Sequence, residues 1–378
     1  MRRNNHYIVI AVILIFALLF SVMTIYAFGE KKSTRTNVSA RSAALYLPET
    51  KSFLYAKNAS DPMPMASTTK IMTAIIALEH SELSDIVKID DSAIGTEGSS
   101  AYLRHGDVLS MEELLYALLL QSANDAAVAI ACHIGGDINS FVDLMNEKAE
   151  MLGLSNTHFT NPHGLDDKEH YTTAEELAII AATALENQIF RKIASTYKKS
   201  FVTDERSRTY VNHNRLLVDY DGCIGVKTGY TKRSGRCLVS AAERDGLRYV
   251  AVTLDAPNDW MDHRTMLNYG YDKMEKIQFA TNFDHLYKIP IIDGKTEYIY
   301  AANTDDADII VEKGDHRVDE YVKLTRYAVA PIEKGEILGE IIYTLDGRES
   351  ARVQIVATES VEKQEKQGFF SKILSLIK

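Results

Sequence analysis

Between residues 70 and 186, apolar residues recur at helical spacing in four stretches: "IMTAIIAL", "SMEELLYALLL", "DAAVAIACHI" and "TTAEELAIIAATALE". The second opens with a capping box, Ser110 followed three residues later by Glu113. The third stops at Gly135-Gly136, and the fourth is capped by Thr172 or Thr173. Ahead of these, "AALYLPETKSFLYAKN" reads as two short strands around a turn. From Gly225, the segments "GVKTGYT", "GRCLVSAAE" and "YVAVTLDA" read as consecutive strands, and an amphipathic helix follows near "MDHRTMLNYGYDKM". Beyond about residue 280 the period shortens to alternation in "KIPIID", "TEYIYAA", "DIIVEK", "EYVKLT", "EIIYTL" and "RVQIVA", with a turn at Asp346-Gly347. That pattern predicts a small all-β sandwich over 279–358. No repeat of fixed period is visible.

The two ends differ from the body. Arg2 and Arg3 precede Tyr7–Phe28, a run of 22 residues without a charge, which as a helix is about 33 Å long and spans a bilayer. Residues 1–34 therefore read as a signal peptide or an N-terminal membrane anchor, with the body on the extracytoplasmic face. At the other end, plotting Phe369 to Lys378 as a helix puts Phe369, Phe370, Ile373, Leu374, Leu376 and Ile377 on one side. Ser371, Lys372, Ser375 and Lys378 take the other, the split expected of a helix lying in a membrane surface. The polar "TESVEKQEKQ" before it reads as a tether, so 359–378 forms a tether and anchor.

Composition removes several functions. The net charge of −10 argues against nucleic acid as a partner. Cys132, Cys223 and Cys237 have neither metal-site nor redox spacing, and the 11 histidines include no H-E-x-x-H. No metal and no cofactor is expected.

The candidate chemistry begins at "STTK". Ser67 and Lys70 are i and i+3, on one face of a helix, and Pro62 and Pro64 suit a chain about to enter it. Amide groups at a helix start can stabilise negative charge on an attacked carbonyl oxygen. A lysine half buried by "IMTAIIAL" is disfavoured in its charged form, and a neutral amine is a base for serine. Four residues alone favour the plainer reading, a capped helix with a snorkelling lysine. Two more segments shift the balance: "SAN", Ser122 to Asn124, at a joint between two helices, and "KTG", Lys227 to Gly229, on a predicted strand. In this order they match the S-x-x-K, S-D-N and K-T-G set of penicillin-binding proteins and β-lactamases, with alanine in place of the middle aspartate.

With "LLLQSANDAAVAIA", "FTNPHGLDD", "GVKTGYTKRSGRCLVSAA" and "RTMLNYG", the chain resembles the low-molecular-weight penicillin-binding proteins that are serine-type D-alanyl-D-alanine carboxypeptidases, from about residue 38 to the end. The resemblance implies an α/β (α+β) fold of the penicillin-binding protein/β-lactamase type. It has a mainly antiparallel sheet and a helical subdomain in a catalytic domain over 35–278, followed by the C-terminal β-domain. It implies that Ser67 attacks the carbonyl between two terminal D-alanines of a peptidoglycan stem peptide, and that Lys70 takes its proton. Ser122 and Lys227 would pass a proton to the leaving D-alanine, Asn124 would hold the peptide amide, and Thr228 would receive the terminal carboxylate. The backbone amides of Ser67 and Tyr230 would form the oxyanion hole, with Gly229 allowing close approach, and Arg264 would take the place of a substrate-facing arginine. β-Lactams would be covalent inhibitors. Two alternatives stay open: a β-lactamase of the same fold, and a non-catalytic penicillin-binding sensor or wall scaffold. His163 in "NPHGL" and the glutamates of "TAEEL" read as a turn and a helix start.

Overall fold

The computed structural model describes residues 36–202 and 207–365. A hairpin of β1 (Ser42–Leu47) and β2 (Ser52–Lys57) opens the body, followed by helix α1 (Lys70–His80) and a small hairpin, β3 (Ile86–Lys88) with β4 (Val108–Ser110). Helices α2 (Met111–Leu120), α3 (Asn124–Gly135), α4 (Ile138–Met151), α5 (Ala174–Glu186) and α6 (Gln188–Ala194) come next. A hairpin of β5 (Lys198–Val202) and β6 (Ser207–Val211) and the short α7 (Leu216–Asp219) lead into β7 (Cys223–Thr231), β8 (Gly235–Arg244) and β9 (Leu247–Leu254). Helix α8 (Asp259–Lys273) completes this part. The main sheet is antiparallel in the order β2-β1-β9-β8-β7, so β7 is an edge strand.

The sheet has a core on each face. Ala44 and Tyr46 of β1, with Val250, Val252 and Leu254 of β9, pack with α1 to α6. Their sequence neighbours Ala43, Leu45 and Leu47, with Tyr249 and Ala251, pack with Met266 and Leu267 of α8. Successive side chains of a strand point to opposite faces, so a strand covered on both sides must be apolar throughout. All six residues of β1 are buried. That double burial is why "AALYL" and "YVAVTL" show no polar alternation.

The remaining strands are β10 (Met274–Ala280), β11 (Leu286–Ile292), β12 (Tyr298–Asn303), β13 (Ala307–Glu312), β14 (Val318–Leu324), β15 (Ala328–Val329), β16 (Ile337–Leu345) and β17 (Arg348–Ala357). Six form one sheet, β14-β16-β17-β12-β11-β15, and β10 pairs with β13. They enclose a separate core around Ile289, Ile299, Ile341, Tyr343 and Ile355. The β16–β17 turn is the Asp346-Gly347 pair, with φ 51 and 77; two central residues at positive φ match the twist of the flanking strands.

The caps at Ser110 and Thr173 form, each side-chain oxygen accepting from the amide three residues on. Their glutamates do not complete the boxes. Glu113 accepts from the Tyr210 hydroxyl at 3.2 Å, and Glu176 accepts from the Asn156 amide at 2.9 Å and from Thr157. Tertiary partners outbid the local one. The proposed anchors, Tyr7–Phe28 and Phe369 to Lys378, lie outside the described residues. Among the described residues no helix is long and apolar enough to cross a membrane.

Candidate active site

Ser67 stands not on an α-helix but in a 3-10 turn, Ala66–Thr69, that runs into α1 at Lys70. In such a turn i and i+3 eclipse each other, so the two side chains still meet, with Lys70 Nζ 3.0 Å from Ser67 Oγ. Ala66 enters the turn at φ 48, an uncommon conformation for a residue with a side chain. Lys70 is fully buried and donates to two further oxygens, Asn124 Oδ1 at 2.6 Å and the His163 carbonyl at 2.6 Å. Burial, then the positive charge of Lys227, hold its amine well below the ordinary lysine range, against the opposing pull of Asp125.

The second motif sits where α2 gives way to α3. Ser122 has φ 60, and Asn124 is the first residue of α3. The Asn124 amide group donates to the Glu97 carbonyl, which leaves Oδ1 facing Lys70. Asp125, also buried, accepts from Ala101 N at 2.9 Å, Leu103 N at 3.1 Å and Ser100 Oγ at 2.7 Å. It thereby fixes the loop that carries Glu97 and Ser99. Ala123 faces the apolar core, so the position that differs from S-D-N does not line the Ser67 cavity.

The third motif lies on β7. Buried Lys227 donates to Ser122 Oγ at 3.0 Å and to the Thr228 carbonyl at 2.8 Å, and burial brings its amine down to about 7. Gly229 is closely packed: a Cβ there lies 3.0 Å from the Ser67 amide nitrogen, tight enough that the neighbouring backbone must shift by a few tenths of an ångström. The glycine lets the backbone of the Ser67 turn lie close against the edge strand. A cavity of about 330 Å³ opens above, lined by Ser67, Ser122, Thr228, Gly229 and Tyr230.

This arrangement, two buried lysines each bonded to a serine beside an open strand edge, agrees with what sequence similarity shows. Residues 29–258 match the sequence model of the D-alanyl-D-alanine carboxypeptidase family. The chain belongs to that family. Residues 275–363 match the C-terminal domain described for penicillin-binding protein 5. The D-alanyl-D-alanine carboxypeptidase DacF of Bacillus subtilis is 32% identical over 89% of this chain and 90% of its own length. The solved structure of penicillin-binding protein 5 from Haemophilus influenzae superposes with a TM-score of 0.63 at 27% identity, covering 86% of this chain and 98% of the other. The Streptomyces K15 DD-transpeptidase superposes with a TM-score of 0.59 at 34% identity, covering 62% and 98%.

Against the family's pattern, the structure brings eight of the nine expected residues together and leaves one out. Arg264 is 3.7 Å from Asp219 and lies over the Tyr220 ring; it lines a neighbouring cavity, not the one at Ser67. The arginine that does reach the Ser67 cavity is Arg236, with His213, Asp259 and Trp260 beside it. Arg236 is the cross-strand partner of Tyr230, so the "KTGYTKRSGR" hairpin carried the signal. Counting back from its tip puts Arg236 on the Tyr230 face. His163 contributes its carbonyl only. Burial and the Lys70 charge hold its ring down at about 3, and its Nδ1 accepts from the Leu165 amide. Among the described residues, no group of three His, Cys, Asp or Glu side chains is placed to hold a metal ion.

Proposed function

We propose that the protein is a serine-type D-alanyl-D-alanine carboxypeptidase that removes the terminal D-alanine of peptidoglycan stem peptides through a Ser67 acyl-enzyme. The observation that carries this reading is the set of partners around Lys70. A neutral amine has two N–H groups and one lone pair. Asn124 Oδ1 and the His163 carbonyl can only accept, so they take the two N–H groups and leave the lone pair to the Ser67 hydroxyl. Ser67 Oγ then bonds to the carbonyl carbon as its proton passes to Lys70. The developing oxyanion lies between the Ser67 amide, held against Gly229, and the Tyr230 amide on the edge strand. Ser122, bonded to Lys227, returns a proton to the leaving amine, and the C–N bond breaks. Thr228 holds the departing carboxylate, and water cleaves the ester.

The β-lactamase alternative needs a carboxylate base aimed at the acyl-enzyme. Among the described residues the one acid lining the cavity is Asp259, and Arg236 pairs with it at 2.9 Å. Glu175 and Glu176 are held by Ser60 and Thr157. A tethered penicilloyl group is therefore expected to persist, making β-lactams covalent inhibitors. A purely structural scaffold has no use for two buried lysines kept beside serines.

The test is incubation of the purified protein with a pentapeptide muropeptide and with labelled penicillin. Mass spectrometry should show loss of one D-alanine, and label should sit on Ser67. Ser67→Ala should lose both, since removing the nucleophile of a serine peptidase costs about 10⁶ in rate. A labelled Ser67→Ala protein removes Ser67 from the mechanism.

A further inference from the structure

Beyond the Ser67 cavity lies a second one, of about 460 Å³. The two share a wall made of Arg236, Asp259 and Trp260. The second cavity adds Arg215, Asp219 and Arg264. Its charges do not cancel. Arg236 pairs with Asp259 at 2.9 Å, and Arg264 pairs with Asp219 at 3.7 Å. Arg215 has no acidic partner among the described residues. It faces the Trp260 indole, its guanidinium carbon 6.0 Å from the ring centre, and Arg236 faces the same ring at 5.8 Å. The cavity therefore holds one unneutralised guanidinium beside an aromatic surface, a combination suited to a carboxylate on a short carbon chain.

The position of this cavity says which part of a substrate reaches it. Arg236 is paired with Tyr230 across the β7–β8 hairpin, so it projects from the sheet face that also carries Thr228. Thr228 and the Ser122–Lys227 pair mark the leaving-group end of the reaction proposed above. The second cavity continues from that end, and it has far more room than the methyl group of a departing D-alanine requires.

Resting on that reading of Ser67, we propose that the second cavity is a leaving-group subsite for a residue bearing an additional carboxylate, bound by Arg215 against Trp260. The substrate class is a peptide in which D-alanine is linked through its carbonyl to the amine of an acidic amino acid. Its chemistry is unchanged. Ser67 Oγ bonds to the D-alanyl carbonyl carbon, the amide C–N bond breaks, the acidic amino acid leaves with the proton on its amine, and water hydrolyses the ester.

The test uses three synthetic peptides with one common acyl part and D-alanine, D-glutamate or D-glutamine as the last residue. All three give the same acyl-enzyme, so deacylation is common to them and kcat/KM reports acylation alone. D-glutamate and D-glutamine match in size and differ in charge. The expected result is a glutamate-to-glutamine ratio of about ten in the wild-type protein, falling toward one in roughly 0.5 M salt. Arg215→Ala should bring the ratio close to one, and Arg215→Lys should restore most of it; penicillin labelling of Ser67 verifies that each variant is folded. A wild-type ratio of one or below overturns the proposal, and so does rejection of both larger residues by a protein that hydrolyses the D-alanine peptide. A ratio of ten that survives in Arg215→Ala removes Arg215 from the site. Failure to hydrolyse the D-alanine peptide at all, with no labelling of Ser67, is the separate failure of the carboxypeptidase reading.

Discussion

In the proposed mechanism, Lys70 is the residue whose environment sets the chemistry. Burial and the charge of Lys227 lower its proton affinity, in that order, and the two carbonyls around it orient what remains. In the mechanism proposed above Lys70 is the base, and a base must be free of its proton to act, so the rate is expected to rise with pH through the pKa of Lys70. Below that pKa, Lys70 is charged and Ser67 keeps its hydrogen. The first-order rate of penicillin labelling, measured from about pH 5 to 10, is expected to climb and level off well below the ordinary lysine value of about 10.4. Lys227→Met removes the second cause of the shift and should move the rising limb to higher pH, whatever it does to the plateau. A limb that stays in place or moves downward means that another group titrates.

At the scale of elements, the site depends on segments pressed together where side chains are not tolerated. Gly164, in the turn after His163, has φ +90, and a Cβ there lies 1.9 Å from the Ala66 carbonyl oxygen. That turn holds the His163 carbonyl on Lys70 while Asn161 Oδ1 accepts from the Gly164 amide at 2.7 Å. Gly164→Ala combines a strained backbone with a backbone clash and is expected to cost ~3 kcal/mol or more. Thermal unfolding should show this as a clear drop in Tm, and penicillin labelling should slow because Lys70 loses one of its orienting acceptors. Gly153→Ala is the control. Its φ is +74 but nothing lies within 4 Å of the added carbon, so it should cost about 1 kcal/mol and leave labelling intact. Equal effects from the two variants show that the clash at Ala66 does not matter.

At the scale of the whole molecule, the β-rich C-terminal part has its own core and, among the described residues, contributes none to the Ser67 cavity. We propose that it is a spacer between the catalytic face and a membrane surface, with the amphipathic run Phe369 to Lys378 as the contact and the body outside the cell membrane. Deleting residues 368–378 should leave turnover of a soluble peptide unchanged. In protein whose N-terminal segment has been removed, the same deletion should move the protein from the membrane fraction to the soluble one. Sedimentation with membranes after both changes rules out the C-terminal anchor.

The sequence by itself determined many of the elements and the three motifs, though not the helices α4 and α6. Helix spacing, the caps at Ser110 and Thr173 and the Asp346-Gly347 turn act over a few residues, and local rules read them. Ser67 and Lys70 are three residues apart, so their meeting was legible too. The hairpins β3–β4 and β5–β6 were not, because their strands are short and mostly exposed, so few buried apolar positions mark an inner face. Only the tertiary structure decided which distant groups share a space. Arg264 sits in "RTMLNYG", a segment that resembles the family, yet its helix turns it toward Asp219. Arg236 enters the Ser67 cavity because strand pairing puts it opposite Tyr230. The destinations of Glu113 and Glu176 follow the same logic. A charged side chain takes the best partner within reach, and reach is measured through space, where residues 97 positions apart in the chain, Glu113 and Tyr210, lie 3.2 Å apart.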